Sequence, residues 1–158
     1  MSKQMKVLLP LTLALLMNTP FLSHAKEHAT HYPGIFLGST KFDGETNFTY
    51  GLEYEYRLTS SWGLGGAYER INKAHHGDGA TVWTAMGFYH PMKSIKLGIG
   101  VGQERLGGGH PKNKELIRFA AAYEYHLTDR IEVAPTIDID LIDGDVAFVA
   151  GLAFLVTF

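Results

Sequence analysis

The chain contains no cysteine among its 158 residues, which excludes a disulfide framework, a thiolate zinc site and a cysteine nucleophile. It has no basic cluster either. Its 14 Lys and Arg stand against 16 Asp and Glu, for a formal charge of −2, and a mildly acidic chain offers no footing for nucleic acid. Beyond Ala25 it lacks any apolar run approaching the about 20 residues of a helical membrane span. If the protein enters a membrane, it does so with strands, because only helices and closed barrels satisfy the backbone there.

Residues 1–25 read as a secretory signal peptide. Lys3 and Lys6 form the positive region, residues 7–17 the apolar core, and Ser23-His24-Ala25 a small-x-small cleavage site. Cleavage near Ala25 removes both lysines and leaves a more acidic mature chain. A secreted chain of this size without disulfides needs another source of stability. Closing a sheet on itself is one, since closure leaves no strand edge unpaired.

The clearest stretch is residues 48–58. Phe48, Tyr50, Leu52, Tyr54, Tyr56 and Leu58 fall on one side of an extended strand, and Thr49, Gly51, Glu53, Glu55 and Arg57 on the other. Related patterns occupy residues 32–42, 62–71, 81–89, 95–104, 115–127, 131–141 and 146–158. In the first, Ile35, Phe36 and Leu37 are consecutive and leave the faces unassigned. The stretches 42–47, 72–80, 105–114 and 142–145 read as loops, alternating with tighter turns around Ser60, Met92 and Asp129. His90 falls in the second of these turns. The expected fold is all-β: an eight-stranded antiparallel transmembrane up-and-down β-barrel over residues 26–158, with the longer loops outside and both termini periplasmic.

A soluble barrel would also alternate, so the orientation has to be argued. An eight-stranded barrel has an interior just wide enough to be filled by side chains, and rings such as Tyr50, Tyr54, Trp62, Tyr68, Phe119 and Phe148 would crowd it. The opposite face carries Gly51, Gly63, Gly65, Gly98, Gly100, Gly102, Ala120 and Ala122, small residues that leave room for charged chains. Charges turned to lipid would cost about 2 to 4 kcal/mol each near the midplane. The charged face therefore points inward. Tyr54, Tyr56, Trp62, Phe88, Tyr123, Tyr125 and Phe158 gather towards the turn end, as an interfacial aromatic girdle would.

Leu152, Phe154, Val156 and Phe158 alternate and end on a C-terminal Phe. This row resembles the signal that the outer-membrane assembly machinery reads in its barrel substrates. With the signal peptide and eight strands, the chain resembles the small outer-membrane barrels of the OmpA transmembrane-domain and OmpX type. The resemblance implies a monomer in the outer membrane of a Gram-negative bacterium. Its partners would be outer-membrane lipid, lipopolysaccharide and, during biogenesis, the barrel-assembly machinery. It also implies a barrel alone, without the peptidoglycan-binding domain of the larger OmpA proteins.

The inward face should hold Glu53, Glu55, Glu69, Glu104, Glu124, Glu132, Asp138 and Asp140 against Arg57, Lys96 and Arg118. Such charges must pair or hydrate in a narrow lumen. One reading is a salt-bridge and water network that plugs the barrel. The other is a narrow, porin-like cation-preferring channel lined by the excess carboxylates.

An enzyme acting on outer-leaflet lipid A is a third reading. The outer-membrane lipid A deacylases use a strand His followed two residues later by Ser, and this chain has no His-x-Ser. Its nearest form, His126-Leu127-Thr128, lies at the turn end, away from outer-leaflet substrate. His75, His76 and Asp78 in one loop and His110 in the next show no closed ligand set, and His28 and His31 offer less. Gly107-Gly108-Gly109 opens no helix and so is no phosphate loop. The expectation is no catalytic site, no metal and no cofactor. What remains is a structural or surface-interaction role, in barrier integrity or adhesion through short outer loops.

Overall fold

The computed structural model describes residues 30–73 and 77–158; the signal-peptide reading and His75 and His76 lie outside them. Nine strand segments follow in order: β1 His31–Phe42, β2 Glu45–Arg57, β3 Trp62–Ile71, β4 Ala80–Met92, β5 Ile95–Leu106, β6 Asn113–Tyr123, β7 Tyr125–His126, β8 Ile131–Ile142 and β9 Asp145–Val156. Each pairs antiparallel with its sequence neighbour, except that β6 and β7 both pair with β8 and together make one barrel strand. Their register continues across the break, which puts Tyr123 opposite Pro135, a residue with no N–H to give the ladder. β1 pairs with β9 from Gly34↔Leu155 to Lys41↔Phe148 and closes the eight-stranded barrel.

Local chemistry sets the turns. Asp43-Gly44 and Asp143-Gly144 each join strands in two residues, with φ of 48° and 81° in the first and 50° and 90° in the second. Positive φ at both positions is the type I′ geometry that matches strand twist, and Asp-Gly is among its favoured sequences. At the opposite end, the Thr59 hydroxyl accepts hydrogen bonds from the amides of Ser61 and Trp62 at 3.2 and 3.0 Å. Thr128 repeats the device with Arg130 and Ile131, at 3.2 and 3.1 Å. A threonine hydroxyl closing its own turn is a local competitor to strand pairing.

The alternation holds nearly throughout. Leu52, Val101 and Ile137 point outward with 62%, 62% and 61% of their surface exposed, within a continuous apolar wall. A surface this apolar marks a lipid-facing band and not a water-facing one. The row Leu152, Phe154, Val156 and Phe158 lies on it. In β1, Tyr32, Phe36 and Thr40 point inward and are buried, whereas Ile35 and Leu37 point to lipid. The Phe36 ring fits because Gly38 and its cross-strand partner Gly151 are bare; a Cβ on either would come within 2.7 Å of the ring.

Three expectations change. Phe88 is not in the girdle: it points inward from β4 and is buried together with Val82, Met86 and His90. His90 does not lie in a turn, because β4 continues to Met92 through a register shift between Tyr89 and Met92. That shift accommodates Pro91, which a regular central ladder would not. The outer connections are also shorter than the sequence reading has them, since β2 begins at Glu45, β5 runs on to Leu106 and β6 begins at Asn113.

Candidate functional site in the barrel lumen

The lumen is filled in layers. At the loop end, Ile71, Ala80, Val82, Leu116, Ile142 and Ala147 pack into one buried cluster, joined by Phe42 and Leu106. These are the inward residues at the ends of their strands, so the pattern that carries charge through the middle of the barrel turns apolar at its mouth. Ile142 is 1% exposed.

Below this layer lies a clamp centred on Arg118 of β6. Its Nε and Nη2 donate to the two oxygens of its cross-strand partner Asp140, both at 2.7 Å. Nη1 and Nη2 reach across to Glu69 of β3, at 2.7 and 2.8 Å. Asp138 approaches Nη1 at 3.4 Å. β3 and β6 stand three strands apart in the wall, so the clamp spans the lumen. Arg118, Glu69, Asp138 and Asp140 are all buried, and a bidentate fork on each side is the strongest geometry such a pair takes. On another part of the wall, the hydroxyls of Thr40 and Thr49 share a buried hydrogen bond of 2.7 Å.

A second network occupies the turn end. Arg57 Nη2 donates to both oxygens of Glu124 at 2.7 and 2.9 Å, its Nε to Glu55 at 3.3 Å, and its Nη1 to the Tyr32 hydroxyl at 3.0 Å. The same guanidinium carbon lies 3.8 Å from the Tyr32 ring centroid. His90 Nε2 is 2.6 Å from Glu55 Oε1, and its Nδ1 is 3.7 Å from Glu124. Lys96 stands between Glu53, Glu55 and Glu124, at 3.8, 3.8 and 3.9 Å. Gly63 belongs to this site, since a Cβ there would collide with the Glu55 carboxylate. Between the two networks lies a cavity of ≈ 40 Å³ bordered by Glu53, Thr84, Lys96, Arg118, Thr136 and Asp138, room for on the order of three waters.

Glu53, Glu55, Arg57, Glu69, Lys96, Arg118, Glu124, Asp138 and Asp140 thus meet in two clusters on either side of a small cavity. Glu104 is buried inside the barrel as well. Glu132 is also inside and pairs with the half-exposed His126 at 2.8 Å. His90 and Tyr32 are the members that sequence reasoning missed. The parity of β4 would have found His90: counted in twos from Val82 through Thr84, Met86 and Phe88, it falls on the inner face.

Chemically, the arrangement seals and braces. Glu55, His90 and Glu124 bring ligand atoms within 4.8 Å of one another, which is metal-like spacing. Arg57 and Lys96 already face the two carboxylates, however, and supply positive charge beside them without an ion. His126 and Glu132 form an imidazole–carboxylate pair at the turn end, but the nearby Thr128 hydroxyl is held as an acceptor by turn amides. Asp78 and His110 are exposed on the outer connections and belong to no metal-spaced group among the described residues.

No protein-family model and no curated protein sequence matches the chain. Solved structures do match its fold. The N-terminal β-barrel domain of Pseudomonas aeruginosa OprF is 13% identical, with a TM-score of 0.65 over 84% of this chain and 100% of that one. Neisserial surface protein A is 13% identical, with a TM-score of 0.62 over 81% and 96%. Ail, the attachment invasion locus protein of Yersinia pestis, is 13% identical, with a TM-score of 0.58 over 83% and 98%.

Proposed function

We propose that this chain, which has the fold of the small eight-stranded outer-membrane barrels of OmpA and OmpX type, is a structural protein of the bacterial outer membrane, closed to solutes. The observation that carries the reading is the lumen. An apolar cluster closes the loop end, the Arg118 clamp spans the section below it, and the Arg57 network fills the turn end. The cavity between them, ≈ 40 Å³, is too small for a conducting path.

The outer connections point the same way. Two of the four are two-residue turns, so little loop surface is available for adhesion, and barrier integrity is the role better supported. The apolar outer wall and the fold of the matched barrels support placement in the outer membrane.

The test is conductance in planar bilayers, using refolded protein whose gel mobility shifts on boiling. Properly folded protein should give no discrete openings. Cation-selective openings would replace this reading with the channel.

A further inference from the structure

Inside the lumen charge meets opposite charge, whereas on the outer wall two arginines stand side by side. Arg70 on β3 and Arg105 on β5 stand in one horizontal row of the barrel wall, each the cross-strand partner of Thr81 on β4. Two strand spacings put their backbones about 10 Å apart. Arg70 Nη1 donates to the Thr81 hydroxyl at 2.9 Å, which turns this guanidinium towards the middle strand. Arg105 is exposed. Neither arginine takes part in an ion pair among the described residues. Two acids lie nearby: Glu115 sits one row lower, opposite Gln103, and the Asp78 carboxylate stands against Gly108.

The arginines border a hollow of ≈ 570 Å³, roofed by Gly107, Gly108 and Pro111 of the β5–β6 connection. That volume is in the range of small-ligand sites. Its lower edge is aromatic: Tyr68 and Trp83 are cross-strand partners directly below the arginine row. Amphipathic rings with cations just above them mark the level of lipid headgroups. Beneath the rings the lipid-facing wall thins to Gly66 opposite Ala85. A second hollow of ≈ 330 Å³ lies over Gly66, between Leu52, Tyr54 and Tyr68. A polar, doubly cationic pocket above an apolar groove on the same strands fits one kind of molecule.

We propose that this face binds a phosphorylated lipid of the outer leaflet, with Arg70, Thr81 and Arg105 holding the phosphate and an acyl chain lying in the groove over Gly66. Arginine forks match phosphate oxygens in geometry as well as charge, and a bound phosphate removes the repulsion between two unpaired guanidiniums. The inference rests on the loop end facing the outer leaflet, as in the function proposed above. To the lipid and lipopolysaccharide partners that the resemblance implies, it adds a site and its residues.

The test uses refolded protein in maltoside micelles, which contain no phosphate, titrated with bisphosphorylated lipid A. Trp62→Phe leaves Trp83 as the sole tryptophan of the two in the chain, and its fluorescence reports binding. Saturable binding should weaken about tenfold in Arg70→Ala and in Arg105→Ala. It should stay unchanged in Lys41→Ala, an exposed cation on β1. Equal binding of dephosphorylated lipid A would overturn the proposal, as would equal weakening by Lys41→Ala. Displacement by millimolar inorganic phosphate would also overturn it, making the pocket a free-anion site.

Should Arg70→Ala fail to fold, Arg105→Gln decides alone, because the Arg105 side chain makes no hydrogen bond or ion pair among the described residues. The boiling shift reports the barrel independently of lipid. Folded protein that does not bind therefore sinks this inference only, whereas conducting protein that still binds sinks only the sealed-lumen reading.

Discussion

Arg118 and Arg57 perform similar tasks in opposite halves of the lumen, and their surroundings differ. Arg118 alone serves Glu69, Asp138 and Asp140, beneath an apolar layer. Arg57 shares Glu55 and Glu124 with Lys96 and His90. The upper half is a single clamp, with no second cation paired to these acids among the described residues. The lower half is redundant, because each of its central carboxylates meets more than one nitrogen-bearing side chain. The contrast teaches that charge count is a poor guide to consequence. What matters is how many partners a buried acid retains when one is removed.

The sharpest way to break the comparison is to remove the clamp. Arg118→Ala strands three carboxylates in a buried space and should destabilise the refolded barrel by about 3 to 5 kcal/mol, read as a lower denaturant midpoint in urea. A loss below about 1 kcal/mol, the range of an exposed pair, would show that water has replaced the guanidinium at little cost. Ile142→Ala opens the apolar layer above it and should cost about 3 kcal/mol. Conductance should nonetheless remain absent in this variant, since the clamp still spans the lumen below. New openings would mean that the apolar layer, and not the clamp, is the seal.

Arg57→Ala should cost about half as much as Arg118→Ala, roughly 2 kcal/mol, because Lys96 and His90 stay beside the same carboxylates. An equal loss in the two variants would dissolve the distinction between single and shared partners. Adding Lys96→Met to Arg57→Ala should raise the cost beyond the sum of the two single changes, as expected where residues share one network.

Much of this was readable in the chain. The strict alternation of residues 48–58 placed Glu53, Glu55 and Arg57 inside without any structure, because one face of a lipid-embedded strand cannot hold charge. Residues 95–104 and 131–141 were as clear. The faces of β1 were not, since three consecutive apolar residues fit either parity. β4 misled at its end because Phe88 looks like a girdle residue and Pro91 like a stop. Pro91 fits a strand end and a register shift alike, and only the pairing resumed at Met92 tells them apart. The apolar layer at the loop end was also missed. Inward Ile71, Leu116 and Ile142 look like any other apolar strand residue until the neighbouring strands bring them together.

The sequence by itself determined the strand number, the sidedness of most strands and the places of the turns. These are local matters: period two, Asp-Gly geometry and threonine-closed turns act over a few residues. Only the tertiary structure decided which charges meet. Arg57 reaches Glu124 and Arg118 reaches Glu69 from distant parts of the chain, and β1 meets β9 at one register out of several that alternation would permit. Those pairings follow from the stagger at which the sheet closes, a property of the whole barrel that no single strand encodes.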